Sequence, residues 1–182
     1  MPKQDIPIHY VSTLDEATQL CDIHTKFWVS NCGCREGNKQ GCRRSRTDVC
    51  LMFSGEQGAS GSGKRAISKR DVAAILVEAK DKKLVARPFR SDDRKTTDGI
   101  CFCCDDCCSY FLDPKEKCDK GTRIEKTDMK KCTQCGACES ACYFGARKMK
   151  KDKLAVDQSK CYGCGLCVDA CPASCIEMKK RT

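Results

Sequence analysis

Residues 132–142 read CTQCGACESAC, and residues 161–172 read CYGCGLCVDACP. Each stretch sets three cysteines at intervals of three and a fourth after a further gap. They are Cys132, Cys135, Cys138 and Cys142, then Cys161, Cys164, Cys167 and Cys171. Three cysteines so spaced wrap a tight loop around one face of an iron–sulfur cube, and the fourth, on a following helical turn, points toward a neighbouring cube. Gly136, Gly163 and Gly165 suit loops whose backbone approaches sulfide closely and whose φ turns positive. The second block repeats the first at an offset of 29 residues, which also superposes Met149 on Met178. Two similar half-domains about a pseudo-two-fold axis are therefore expected.

These blocks resemble those of the two-cluster bacterial ferredoxins, and the resemblance covers about residues 122–182. It implies a βαββαβ-like domain that transfers single electrons, in which the fourth cysteine of each block serves the other cluster. Carried over, one [4Fe–4S] cluster takes Cys132, Cys135, Cys138 and Cys171, and the other takes Cys161, Cys164, Cys167 and Cys142. Two positions depart from the family pattern. Tyr143 stands where that family usually has proline, which predicts a local change of turn. Cys175 stands where the first half has Ala146 and reads as a buried substitute for alanine.

Outside this region the chain holds the other eleven of its twenty cysteines. Either disulfides or metals could account for them. Met1-Pro2-Lys3-Gln4-Asp5 opens no charged-then-apolar leader, and no apolar run is long enough for a membrane span. A cytoplasmic location is expected, where thiols stay reduced and hold metal. The formal charge is +9. Each [4Fe–4S] core with four thiolates contributes about −2, so two clusters lower it to about +5 and three to about +3. The basic excess is thus a weak argument for nucleic acid as a partner.

Residues 1–118 read as a small cysteine-rich α+β domain, and residues 119–182 as the two-cluster domain. Thr13 with Glu16, and Ser68 with Asp71, read as capping boxes. Apolar spacing extends the first helix to Trp28 and places Val72, Ile75, Leu76 and Ala79 on one stripe of the second. Cys21 reads as a buried small hydrophobe. Val49–Phe53 and Leu84–Ala86 read as short strands, the latter ended by Pro88, and residues 32–53 otherwise as loop. Nine cysteines are candidate ligands of one or two N-terminal centres: Cys32, Cys34, Cys42, Cys50, Cys101, Cys103, Cys104, Cys107 and Cys108. A further iron–sulfur cluster is expected there, with zinc as the alternative. Adjacent residues such as Cys103 and Cys104 point to opposite sides of an extended chain, so both need not serve one site. The segments around Cys34-Arg35, Asp48–Leu51 and Ile100–Cys104 resemble a family of anaerobe iron–sulfur proteins. In that family a cysteine-rich module precedes a two-cluster domain, and the resemblance spans most of residues 30–112.

Gly58-x4-Gly63-Lys64 resembles the start of a phosphate loop, but Arg65 replaces the Ser or Thr that would hold Mg²⁺, and a flexible linker is the better reading. His9 and His24 read as incidental. Lys148, Lys150, Lys151 and Lys153 fall on an expected hairpin and suit an acidic redox partner. The expected function is single-electron transfer between redox partner proteins. The alternative is an enzyme or enzyme subunit whose N-terminal metal centre binds substrate while the ferredoxin domain feeds it electrons.

Overall fold

The computed structural model describes residues 6–55, 61–113 and 116–181. Its first helix, α1 (Leu14–Asp22), starts where Thr13 Oγ1 accepts the Glu16 N–H at 3.1 Å and Glu16 Oε2 accepts the Thr13 N–H at 2.9 Å. This capping box satisfies two backbone donors that the helix itself cannot. The longest helix, α3 (Lys69–Asp81), begins the same way with Ser68 and Asp71. Between them lie β2 (Phe27–Ser30), the short α2 (Gly33–Gly37), β3 (Cys50–Met52) and β4 (Arg65–Ile67). Trp28 is therefore on a strand, not on α1. The β-branched and aromatic run Phe27-Trp28-Val29 prefers a pleated, half-buried surface. The stretch read as loop also contains α2, whose buried Arg35 fixes it to the core. Gly58 lies outside the described residues.

β1 (His9–Tyr10), β5 (Val85–Arg90), β6 (Thr97–Cys103) and, after the short α4 (Ser109–Leu112), β7 (Cys118–Asp119) complete a seven-stranded sheet in the order β4-β2-β3-β6-β5-β1-β7. All its pairings are antiparallel except β1 with β7. β5 runs through Pro88, where the sequence suggested an end. The Ala86 carbonyl accepts from Ser12 and the Arg90 N–H donates to Ile8, so alternate residues of β5 face β1. Pro88 lies in that same set. Its missing donor faces a two-residue strand and leaves the ladder to β6 intact.

The alternation of side chains along β6 divides its residues between two environments. Ile100, Phe102 and the next residue, Cys104, join the core beneath α1 and α3, with Ala17, Cys21, Val72, Ile75 and Ala79. Cys101 and Cys103 turn to the opposite face, where Val11 and Val85 pack against Ala141 and Leu166. The sheet is thus covered by helices on one side and by the C-terminal region on the other.

That region runs β8 (Arg123–Thr127), α5 (Ala137–Ser140), β9 (Arg147–Lys150), β10 (Lys153–Val156), α6 (Leu166–Asp169) and β11 (Ile176–Lys180). β8 pairs with β11 and β9 with β10, both antiparallel. The chain is mixed α and β, and no helix among the described residues is long and apolar enough to cross a membrane.

Ser68→Ala removes the α3 cap at a site remote from the clustered thiols. It should cost about 1 kcal/mol of unfolding free energy with iron content unchanged. Anaerobic denaturant titration followed by far-ultraviolet circular dichroism, with iron analysis, checks both.

Candidate metal centres

Gly136 (φ +75°) and Gly165 (φ +83°) each open one of the short helices α5 and α6 in the left-handed conformation. Each thereby turns the preceding cysteine loop back over the helix start. Gly163 (φ +85°) does so in the tightest space, since a Cβ there would lie 2.2 Å from the Arg123 carbonyl oxygen. The loops enclose two small cavities. One, of about 10 Å³, is lined by Cys132, Cys135, Cys138 and Cys171 among Leu154, Ala173 and Ile176. The other, of about 20 Å³, is lined by Cys142, Cys161, Cys164 and Cys167 among Phe144, Ala146 and Met178. Cys142 and Cys171 each line the cavity of the other block.

The donor sets suit metal–sulfur groups. Burial pushes the Cys164 thiol up to about 12 and the Cys167 thiol to about 11, so a cation between the sulfurs is what would let them ionise near neutral pH. Arg147, 2% exposed, sends Nη1 to Cys138 Sγ at 3.4 Å while Nη2 pairs with the buried Glu125 and donates to Thr127 Oγ1 at 2.8 Å. A buried guanidinium aimed at sulfur matches an anionic thiolate shell. Cys175 is buried, and its Sγ lies 3.4 Å from Cys171 Sγ.

The nine N-terminal candidates fall into two groups. Cys42, Cys104 and Cys107 form the first, joined by Asp106, with all donor atoms within 4.8 Å of one another. The second contains Cys32, Cys34, Cys50, Cys101, Cys103 and Cys108. Arg87, 1% exposed, donates Nη1 to Cys103 and to Cys108 Sγ at 3.5 Å each, while Nη2 pairs with Glu116 at 2.7 Å. Cys50 Sγ lies 3.9 Å from Cys101 Sγ, and Cys34 Sγ lies 3.3 Å from Ser109 Oγ. Hydrogen bonds from the Cys108 and Cys32 thiols hold Cys34 well below the ordinary thiol range.

Several residues around these groups were not legible as site residues. His9 looked incidental, yet its Nε2 is 3.7 Å from Cys101 Sγ. Burial, then the charge of Arg87, lowers it to about 4, so it is a neutral imidazole able to donate a lone pair. Cys118 lies beside Arg87, and burial pushes its thiol up to about 11. Asp106 could have been found, since it sits inside a Cys-x2-Cys spacing that favours one metal ion. Arg35 and Arg87 carry no such local signal. His24 stacks on Phe53 with ring centroids 4.0 Å apart.

An aromatic layer joins the second thiol group to the Cys142 cavity. Phe144 and Tyr162 stack at 4.4 Å, Tyr110 lies 6.2 Å from Phe144 and 6.3 Å from Tyr162, and Phe111 lies 5.3 Å from Phe144. Cys34, Cys101, Cys103, Cys108 and Cys164 all pack into this one cluster. Tyr143, the residue that replaces the family's proline, meets Phe111 at 5.8 Å and lies under the Arg44 guanidinium at 5.1 Å. The Cys132 cavity belongs to a separate apolar cluster within the C-terminal region. Cys135 at its mouth is exposed, and exposed Lys131 and Lys153 adjoin the lining residues Cys132 and Leu154.

Residues 131–175 match the family model described as a 4Fe-4S dicluster domain, about a quarter of the chain. The match supports a ferredoxin-type iron–sulfur domain over those residues. A search of curated proteins found no match.

The crossed cavities predict how paired cysteine variants combine. Cys142→Ala with Cys161→Ala strikes one cavity and should remove about four iron atoms per chain. Cys142→Ala with Cys132→Ala strikes both and should remove about eight. Anaerobic iron and acid-labile sulfide analysis distinguishes the pairs, and the reverse ranking would mean that each block keeps its own fourth cysteine.

Proposed function

We propose that this protein is a one-electron carrier with three iron–sulfur centres in a row. Residues 119–182 form a pseudo-two-fold two-cluster ferredoxin unit, and residues 1–118 form a module that holds the third centre on the Cys32, Cys34, Cys50, Cys101, Cys103 and Cys108 group. A [4Fe–4S] group, when bound, takes up and returns single electrons with little rearrangement. The residues of the chain set where that happens. The aromatic layer of Tyr110, Phe111, Phe144 and Tyr162 carries the reading, because it packs against the N-terminal thiols on one side and Cys164 on the other. It excludes water between the two sites and keeps their separation fixed. Arg87 and Arg147 hold positive charge against thiolate on either side of it.

The Cys132 cavity is the outward end of the row. Exposed Cys135 and the neighbouring lysines, including Lys148, Lys150, Lys151 and Lys153 on the β9–β10 hairpin, suit docking by an acidic redox partner. Such a surface raises the encounter rate through its field, and salt screens it.

Anaerobic reductive titration followed by electron paramagnetic resonance tests the reading. At least two electrons per chain should be taken up, with magnetic interaction between the C-terminal centres, and a third with the N-terminal one. Reoxidation by an anionic metal complex should slow as ionic strength rises, and by a cationic complex should quicken. Fewer than one electron per chain, or one salt response for both oxidants, would rule the carrier reading out.

A further inference from the structure

Among the described residues, Cys42, Cys104, Cys107 and Asp106 bring four donor atoms within 4.8 Å of one another. Cys42 Sγ lies 3.6 Å from Cys104 Sγ, Cys104 Sγ lies 3.1 Å from Cys107 Sγ, and Cys42 Sγ lies 3.6 Å from Asp106 Oδ1. A tetrahedral ion with sulfur arms of about 2.3 Å spans sulfur–sulfur edges of about 3.8 Å, and a sulfur–oxygen edge of about 3.5 Å with an oxygen arm of about 2.0 Å. The four thiolate sulfurs around an iron–sulfur cube stand roughly 6 Å apart. The group therefore fits one ion and is too small for a cube.

The surroundings give a second, independent indication. Arg35 is 3% exposed, and no carboxylate lies within ion-pair distance of it among the described residues. Its Nη2 donates to Cys104 Sγ at 3.7 Å and to the Phe102 carbonyl at 2.8 Å, and Nη1 donates to the Arg46 carbonyl at 3.0 Å. An uncompensated buried cation is strongly unfavourable. Three thiolates and a carboxylate around a divalent ion carry a net charge of about −2, which supplies the missing counter-charge. The second carboxylate oxygen is already oriented, since Asp106 Oδ2 accepts the Arg43 N–H at 2.9 Å.

We infer that Cys42, Cys104, Cys107 and Asp106 bind a single structural zinc ion, separate from the redox centres. Three sulfurs and one oxygen close the tetrahedron and leave no open position. The ion ties the loop before β3 to the turn after β6. From that loop Arg44 pairs with Asp105 of the same turn, 2.8 Å from Nη2 to Oδ2, and covers Tyr143 beside Cys142. Zinc would thus help hold the dicluster region against the sheet. The inference does not depend on the electron-carrier reading, because it concerns an ion without redox chemistry.

Zinc-edge X-ray absorption of the anaerobic full-length protein, with zinc, iron and sulfide analysis, tests it. About one zinc per chain is expected, with three sulfurs near about 2.3 Å and one oxygen near about 2.0 Å. Cys42→Ser and Asp106→Asn should lower zinc at least severalfold with iron and sulfide unchanged. The inference is overturned by absence of zinc from the wild-type protein, by a shell of four sulfurs, or by loss of about four sulfides in Cys42→Ser. The wild-type spectrum decides even if a variant fails to fold.

Discussion

Sulfur anions cannot be packed side by side in a protein interior unless positive charge lies between or beside them. With twenty cysteines in 182 residues, that requirement shapes most of this molecule. The three buried arginines among the described residues, Arg35, Arg87 and Arg147, each direct a guanidinium nitrogen at thiol sulfur, at 3.7, 3.5 and 3.4 Å. Each serves a different group: the compact Cys42 set, the larger set around Cys103 and Cys108, and the Cys132 cavity. Burying an arginine is unfavourable on its own account, so its recurrence beside sulfur marks where the fold is built to hold negative charge. The ordinary apolar core beneath α1 and α3 is a scaffold for this arrangement. It fixes one face of β6 so that Cys101 and Cys103 are presented on the other.

The C-terminal region was legible because its information is local. Ligand spacing, the 29-residue offset and the loop glycines all lie within two short stretches, and each can be read without knowing what packs against it. The helix starts were equally local, since a capping box is complete within four residues. Legibility ended where contacts became long-range. Apolar periodicity carried α1 too far, to Trp28, because strand and helix patterns are ambiguous over short apolar runs. Pro88 looked like a strand end because the pairing that tolerates it involves β1, almost eighty residues earlier. The N-terminal cysteines could be named but not sorted, because Cys42 reaches Cys104 and Cys34 reaches Cys108 only through the order of strands in the sheet.

The same distinction separates the shared part of the molecule from its individual part. Residues 131–175 match the 4Fe-4S dicluster domain model. What is particular here is how that domain is docked, through Tyr143, Phe144 and Tyr162 against Tyr110 and Phe111. Tyr143 is the telling case. As a departure from the ferredoxin pattern it looked like the loss of a stiffening proline. Its ring is part of the interface that sets the Cys142 cavity against the N-terminal thiols, so the change exchanges local rigidity for a tertiary contact.

In the proposed carrier, metal centres occupy both C-terminal cavities and continue into the N-terminal thiol group across the aromatic layer. Anomalous diffraction at the iron edge from anaerobically grown crystals would locate each of them. Iron is expected in the Cys132 and Cys142 cavities, with a third iron peak among Cys32, Cys34, Cys50, Cys101, Cys103 and Cys108. Iron confined to the two C-terminal cavities, or a cavity without iron, would contradict this arrangement.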